Sequence, residues 1–497
     1  MKYILSSILA TVFIISSCTN LDEEYHSYTP QSQFGKTSDE IATLIGPAYG
    51  TMAHYVDNEF WMAEISSDEY MIPARGLDWL SGGIHLRYHT HEWSPNETPN
   101  FWKFAHVVTI NKVIDMLESS GAEIDDRDRV FAELRGLRAF WYFVMLDNIG
   151  NVPIVTEFKS ELPKNNTRNE VYNFVESELL AIKDDLTAEK SANTYTKFTK
   201  WVAYTLLAKL YLNAGVYTGT SQWDKCIEYC DYVIGSDNYS LEANFFANFA
   251  VNNEGSTENI FSIPFDANYF RSYFIPYQMS WHYNQRLKNP VQHESWNGPC
   301  VVPGFVKSFD TDDARYASFL TGPQYALDGS VIYIRDNTTP LDYTIDIVDY
   351  SNATENEGAR LFKWEVENGG RNHLNNDFAV FRYSDILLMK AECLLRKGNT
   401  ALALGLVNDV RKRNFDPEKP LATLDLDILL RERGYEFAFE GWRRNDLIRF
   451  DKFGGTWDFK PNPDPADKHT FIFPIPLSVI QNNPNLVQNP GYAATGG

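Results

Sequence analysis

Apolar residues recur at helical spacing over most of the first 240 positions and again from about 378 onward. Residues 37–55 open with Thr-Ser-Asp-Glu, a helix start with acid in its first turn, and run on in helix formers. Residues 97–119 carry Phe101, Phe104, Val108, Val113 and Leu117 near helical spacing, and 126–146 predict a third long helix. In 168–186 the stripe Val171, Phe174, Val175, Leu179, Ile182 and Leu186 predicts a surface helix with one buried face. Residues 201–215 and 223–234 predict a pair of antiparallel helices joined by a short Gly/Thr/Ser linker. Between about 238 and 377 the period is lost, and Pro, Gly, Asn and aromatic residues surround short β-like runs such as 260–265 and 331–334. A structureless loop of that length does not fit a compact fold, so this stretch predicts an irregular lobe laid over the helices. The tail from Phe453 is rich in Pro and Asn and predicts ordered loop.

Two helices share a pattern. Leu207-Ala208-Lys209-Leu210-Tyr211-Leu212-Asn213-Ala214-Gly215 and Met389-Lys390-Ala391-Glu392-Cys393-Leu394-Leu395-Arg396-Lys397-Gly398 both resemble the first helix of a tetratricopeptide unit, where small residues let neighbours approach. A generic helical hairpin gives the same pattern. The expected class is mainly α: a scaffold of tetratricopeptide-like helical hairpins (37–237 and 378–453), a large irregular lobe (238–377), minor β structure and a C-terminal loop segment (454–497).

The N-terminus changes the picture of where such a body sits. Lys2 precedes an apolar run, 4–15, too short for the ~20 residues that span a bilayer. Ile15-Ser16-Ser17-Cys18 resembles a bacterial lipobox, which implies a signal peptide over 1–17 and lipidation of Cys18. More than one acyl chain gives stable anchoring. Residues 18–36 then form a tether, and 37–497 form one body. The acidic run Asp22-Glu23-Glu24 resembles an export tag, so the expected location is the outer membrane, facing the exterior. A net charge of −22 argues against nucleic acid as a partner. Besides Cys18 there are four cysteines, too few for a disulfide framework. Cys226 and Cys230, one helical turn apart, read as small core residues or as half a metal site.

Four segments in order carry a family resemblance. They are Ser66-Ser67-Asp68-Glu69 followed by a Trp-containing stretch and Asn111; Val233-Ile234-Gly235-Ser236-Asp237-Asn238-Tyr239 running to Ser256-Thr257-Glu258-Asn259-Ile260-Phe261; Phe381-Arg382-Tyr383-Ser384-Asp385-Ile386 to Glu392; and Glu432-Arg433-Gly434-Tyr435-Glu436 through Glu440-Gly441-Trp442-Arg443-Arg444, with Pro474-Ile475-Pro476 and Gln488-Asn489-Pro490-Gly491-Tyr492 closing the chain. Together they resemble the SusD/RagB-like family of Bacteroidetes nutrient-uptake lipoproteins. The resemblance implies a surface protein that captures an oligo- or polysaccharide and passes it to a SusC-like TonB-dependent β-barrel transporter, over which it sits as a hinged lid. In the fourth segment, Glu432, Glu436 and Glu440 stand four apart, which predicts ion pairs with Arg433, Arg443 and Arg444 along a helix, not acid/base chemistry.

A glycan binder needs aromatic faces for sugar rings to stack on, with carboxylates, amides and guanidinium groups for the hydroxyls. Two segments have that composition, 60–93 and 265–305; the second includes Tyr269, Phe270, Arg271 and Tyr273. The candidate ligand residues are Trp79, Trp93, Trp281, Trp296 and Tyr283, with Asp68 and Arg75 as polar partners; for any single aromatic the competing reading is core. His85, His89, His91 and Glu92 read as a strand-borne metal site or as solvated or ligand-facing histidines. The expectation is no metal, no cofactor and no catalytic residue. The alternatives are a RagB-like peptide-binding lid, a surface glycoside hydrolase with two carboxylates ~5–9.5 Å apart, and a helical-repeat adhesin.

Overall fold

The computed structural model describes residues 37–120, 124–268, 276–371 and 373–493. Cys18, the leader and the tether lie outside the described residues, as do Tyr269, Phe270, Arg271 and Tyr273.

Ten helices carry the framework: α1 (Ser38–Gly50), α2 (Phe104–Ser119), α3 (Arg127–Asn148), α4 (Arg168–Ile182), α5 (Lys200–Leu212), α6 (Trp223–Ile234), α7 (Tyr383–Arg396), α8 (Thr400–Arg411), α9 (Leu426–Phe437) and α10 (Arg443–Arg449). Local chemistry sets their starts. Thr37 and Glu40 form a reciprocal capping box ahead of α1, and Thr167 with Glu170 does the same for α4. The Thr199 hydroxyl accepts from the Val202 N–H at the head of α5, and Asp425 accepts from Ile428 at the head of α9. Helix α3 is buried on nearly every face beyond its first turn and forms the centre of one layer, with α2 and α4 packed on it and α1 on α2. A second layer runs α5, α6, α7 and α8, each packed on the next, so that α6 meets a helix about 150 positions later in the chain. Cys226 and Cys230 of α6 are fully buried and pack toward Cys393 of α7, and burial pushes the Cys226 thiol up.

The stretch between α6 and α7 is closed at its two ends by one antiparallel pair. β1 (Asn259–Ile263) lies on β2 (Phe378–Arg382), with Ile263 opposite Phe378 and Asn259 opposite Arg382. Both strands are wholly buried. The β-like run at 331–334 is not a strand; it forms single bridges, Tyr325 with Val331 and Tyr333 with Pro340.

The charges of the fourth motif behave differently from the helical pairing their spacing predicts. Glu432, Glu436 and Glu440 are buried and bind cations from distant segments. Glu436 accepts from Arg382 and Arg413, 2.9 and 2.5 Å, and from Arg315. Glu440 binds Arg382 and Lys363, and Glu432 binds Arg411 and Arg315. The arginines named from spacing go elsewhere. Arg433 pairs with Asp385 and Asp446, Arg443 with Asp68, and Arg444 donates to Asn148 and to the Phe471 carbonyl. Burial alone would raise Glu436, but Arg413, Arg382 and Arg315 outweigh it and hold the carboxylate far below its usual range. These groups are fixed ions of the scaffold. Trp442 beside them is 5% exposed, stacked on Phe381 and capped by the Lys209 ammonium 3.6 Å from its ring.

Candidate functional site

Two loops remote in sequence are brought together by a two-residue antiparallel ladder. Tyr70 lies opposite Val301 and Met71 opposite Cys300, all four buried. That register sets the residues after 71 beside those before 300. The segment beyond Met71 is then pinned to 350–357: the Ile72 N–H donates to the Tyr350 hydroxyl, the Ala74 N–H to the Tyr350 carbonyl, and the Arg75 guanidinium to the Thr354 and Glu357 carbonyls. Arg75 and Asp78 exchange backbone hydrogen bonds of 2.8 and 3.2 Å, closing a turn with Leu77 at its exposed tip. Gly76 supplies the left-handed step this turn needs, φ +65°.

Trp79 comes next, and its backbone is also left-handed, φ +59°. A bulky residue adopts that conformation only when its surroundings impose it. The indole N–H donates to the Trp296 carbonyl, 2.7 Å, and the ring packs beside His85. Trp296 is 41% exposed. The two indoles lie 6.2 Å apart at 47°, an open aromatic surface with a bend in it.

Polar groups border this surface. Asp78 accepts the Tyr283 hydroxyl hydrogen bond. The Arg335 guanidinium lies 4.3 Å from the Tyr283 ring centre and pairs with Asp78 at 3.2 Å and Glu355 at 2.6 Å. His282 accepts the Asn284 N–H on Nδ1, so its Nε2 donates to Glu355, 2.8 Å. Burial pushes the His282 imidazole down to about 4, which keeps this tautomer neutral. Burial and the Asp78 carboxylate push the Tyr283 hydroxyl up, so it stays a donor. Asn284 donates to the Tyr333 carbonyl, 2.7 Å, and carries the surface on to the exposed Tyr333 ring. Aromatic faces beside a carboxylate, a guanidinium and an amide suit a polyhydroxylated ligand.

Of the residues expected here, Trp79, Trp296 and Tyr283 come together. Trp93, Trp281 and Arg75 do not, and burial is the reason. Trp93 is 5% exposed, donates to the Tyr492 hydroxyl and lies against Phe473, which makes it part of the packing under the C-terminal segment. Trp281 is 0% exposed, stacked on Tyr277 and donating to the Leu361 carbonyl; it is a wall beneath the segment that carries Trp296. Arg75 is buried, which pushes its guanidinium down to about 9, and it serves the loop backbone. Asp68 presents both oxygens to Arg443, 2.6 and 2.8 Å, on the far side of the ladder, lining a recess with Phe305, Tyr435 and Trp457. Asp78, Arg335 and Glu355 were not singled out by sequence. Asp78 stands beside Trp79, but nothing linear ties Arg335 or Glu355 to this surface.

The histidines are not on one strand. His85 and His89 belong to a short helix, Ile84–His89. His89 sits between the Ile65 and Asp458 carbonyls, and His91 between Asp464 and the Ser66 carbonyl. Among the described residues no group of His, Cys, Asp or Glu is arranged to hold a metal.

Comparison with known proteins gives the same architecture. Residues 257–492 match the model described as "SusD family", and residues 39–212 match the model described as "Starch-binding associating with outer membrane". The chain is 28% identical over 452 residues to the starch-binding protein SusD of Bacteroides thetaiotaomicron, covering 80% of each. Among solved structures it is similar to a laminarin-binding SusD-like protein, with a TM-score of 0.73 and 21% identity over 92% of this chain and 100% of that one. It is also similar to surface glycan-binding protein A of Bacteroides thetaiotaomicron in complex with laminarihexaose, with a TM-score of 0.70 and 21% identity over 91% of this chain and 100% of that one. At these identities the structural likeness carries the fold. With the two family models matching in order along its two halves, and with the helical scaffold and closing strand pair described above, the chain belongs to the SusD/RagB-like family.

Proposed function

We propose that this protein is a surface glycan-binding lipoprotein that captures an oligo- or polysaccharide on the Trp79–Trp296 platform and delivers it to a SusC-like TonB-dependent transporter. The observation that carries the reading is the platform itself. Two indoles 217 positions apart in the chain are held side by side, one of them on strained backbone, with Tyr283, Asp78 and Arg335 at their edge. Aromatic anchors held rigid ahead of binding lose little freedom when a ligand stacks on them. The names of the relatives, starch-binding and laminarin-binding, support a glycan as the ligand. The family description supports the outer membrane as its location. Lipidation of Cys18 supplies the anchor, and the acidic run Asp22-Glu23-Glu24 sends the body to the exterior.

The protein binds its glycan and does not cleave it. The carboxylates at the platform, Asp78 and Glu355, are both engaged by Arg335, and the Glu432–Glu436–Glu440 row is buried among arginines and a lysine. Affinity electrophoresis against soluble starch, laminarin and peptide mixtures, with an assay for released reducing sugar, tests this. Retention by a polysaccharide without sugar release is expected; peptide binding alone, or sugar release, contradicts it. The anchor is tested separately: Cys18→Ala is expected to abolish fatty-acid labelling, and persistent labelling contradicts the lipoprotein reading.

A further inference from the structure

The strained backbone at Trp79 needs more than one hydrogen bond to hold it, and the second hold is a missing side chain. A β-carbon built on Gly298 would lie 2.1 Å from Cε2, 2.4 Å from Cζ2 and 2.6 Å from Nε1 of Trp79, closer than real β-carbons approach any atom. The indole therefore occupies the space over Gly298. This glycine is not present for backbone freedom, because its φ lies outside the left-handed region that an L-residue resists. Nor can its backbone withdraw. The N–H groups of Trp296, Asn297 and Gly298 donate to the carbonyls of Gln278, Trp281 and Met279 at 2.7, 2.8 and 2.8 Å. Any side chain at 298 must displace the ring, and with it the 2.7 Å bond from Nε1 to the Trp296 carbonyl.

We infer that Gly298 is a positioning residue of the ligand site: it sets the plane of Trp79 against Trp296 while touching no ligand. The inference rests on the platform reading above. Its first consequence is nevertheless independent of any ligand. Trp79 and Trp296 are the one pair of tryptophan rings in contact among the described residues, so their excitonic coupling in circular dichroism reports the arrangement directly.

The experiment compares wild type, Gly298→Ala, Trp79→Ala and the double variant for the couplet, the thermal midpoint and retention by soluble starch and laminarin. Trp79→Ala identifies the couplet by removing it. Gly298→Ala is expected to lose the same couplet, to weaken polysaccharide retention about tenfold, as truncation of the anchor does, and to add nothing to Trp79→Ala in the double variant. A couplet that survives in Gly298→Ala, or a further loss of retention in the double variant, overturns the inference. If Gly298→Ala is too unstable to assay, the double variant decides. Recovery of the Trp79→Ala midpoint supports a clash with this ring, and persistent destabilisation overturns it. Loss of the couplet in Gly298→Ala with retention unchanged in both single variants supports the positioning role and overturns the platform reading, so the two fail separately.

Discussion

Arginine–carboxylate contacts beside aromatic rings occur in two regions of this protein, and burial gives them opposite meanings. Around β2 and α9, Arg382 is fully buried and binds Glu258, Glu436 and Glu440, with Phe245, Phe249 and Phe437 around its guanidinium. At the platform, Arg335 is half exposed and binds Asp78 and Glu355 over the Tyr283 ring. A buried charge that loses its partners is stranded without water, so the first network is structural. An exposed pair competes with solvent at every moment, so the second region can exchange its internal partners for a ligand's hydroxyl groups.

Substitutions on the two sides of this comparison should differ in size and kind. The largest effect is expected for Arg382→Ala, which removes the cation shared by three buried carboxylates, Glu258, Glu436 and Glu440. A loss of about 3–5 kcal/mol in denaturant unfolding is expected, and a loss under 1 kcal/mol would mean that the network does not hold the scaffold.

Acid should act on the buried side through the same groups. Burial opposes ionisation of Glu436 and Asp446, but their arginine partners outweigh it, and both carboxylates titrate well below their unfolded values. The stability they contribute is therefore present above the unfolded carboxylate range, about 4, and is lost as pH falls below it. Burial also pushes His85, His89, His106 and His282 down to about 4. In the unfolded chain they take up protons near 6.5, so their share is complete above that value and declines as pH falls from there toward 4. The thermal midpoint is expected to fall in two stages, one as pH drops below about 6.5 and a second below about 4. A midpoint flat from 7 to 4 contradicts the histidine part.

The smallest effect belongs to Arg335→Ala. Its contacts are half exposed, so at most ~1 kcal/mol of stability is expected to go. Polysaccharide retention should change, because the rim of the platform is rebuilt; unchanged retention would place the ligand away from Tyr283 and Asp78.

The sequence discloses the two regions unequally. Helices are visible because apolar residues repeat along them, and the stripe on 168–186 corresponds to buried Val171, Val175, Leu179 and Ile182 in α4. The partners of Glu432, Glu436 and Glu440 are hidden, because Arg315, Arg382, Arg411 and Arg413 arrive from other segments and no helical spacing links them. In the irregular loops no period separates a core aromatic from a surface one. Trp281 and Trp296 stand in the same compositional setting, yet one is a buried wall and the other an open face, and only the ladder register with the backbone bonds from Trp296, Asn297 and Gly298 to Gln278, Trp281 and Met279 decides which. Asp78 is legible as a neighbour of Trp79, whereas Arg335 and Glu355 reach the site through tertiary packing alone.

The central claim is that Trp79 and Trp296 bind the ligand while Trp281 holds up the fold beneath them. Isothermal titration of wild type and the three single alanine variants with the retained polysaccharide, each variant first checked by its thermal midpoint, tests it most directly. Trp79→Ala and Trp296→Ala are expected to stay folded and to lose about 1–3 kcal/mol of binding each, whereas Trp281→Ala loses about 3–5 kcal/mol of stability and binds normally per folded molecule. Unchanged affinity in both folded platform variants, or loss of binding that tracks only with unfolding, would contradict the account.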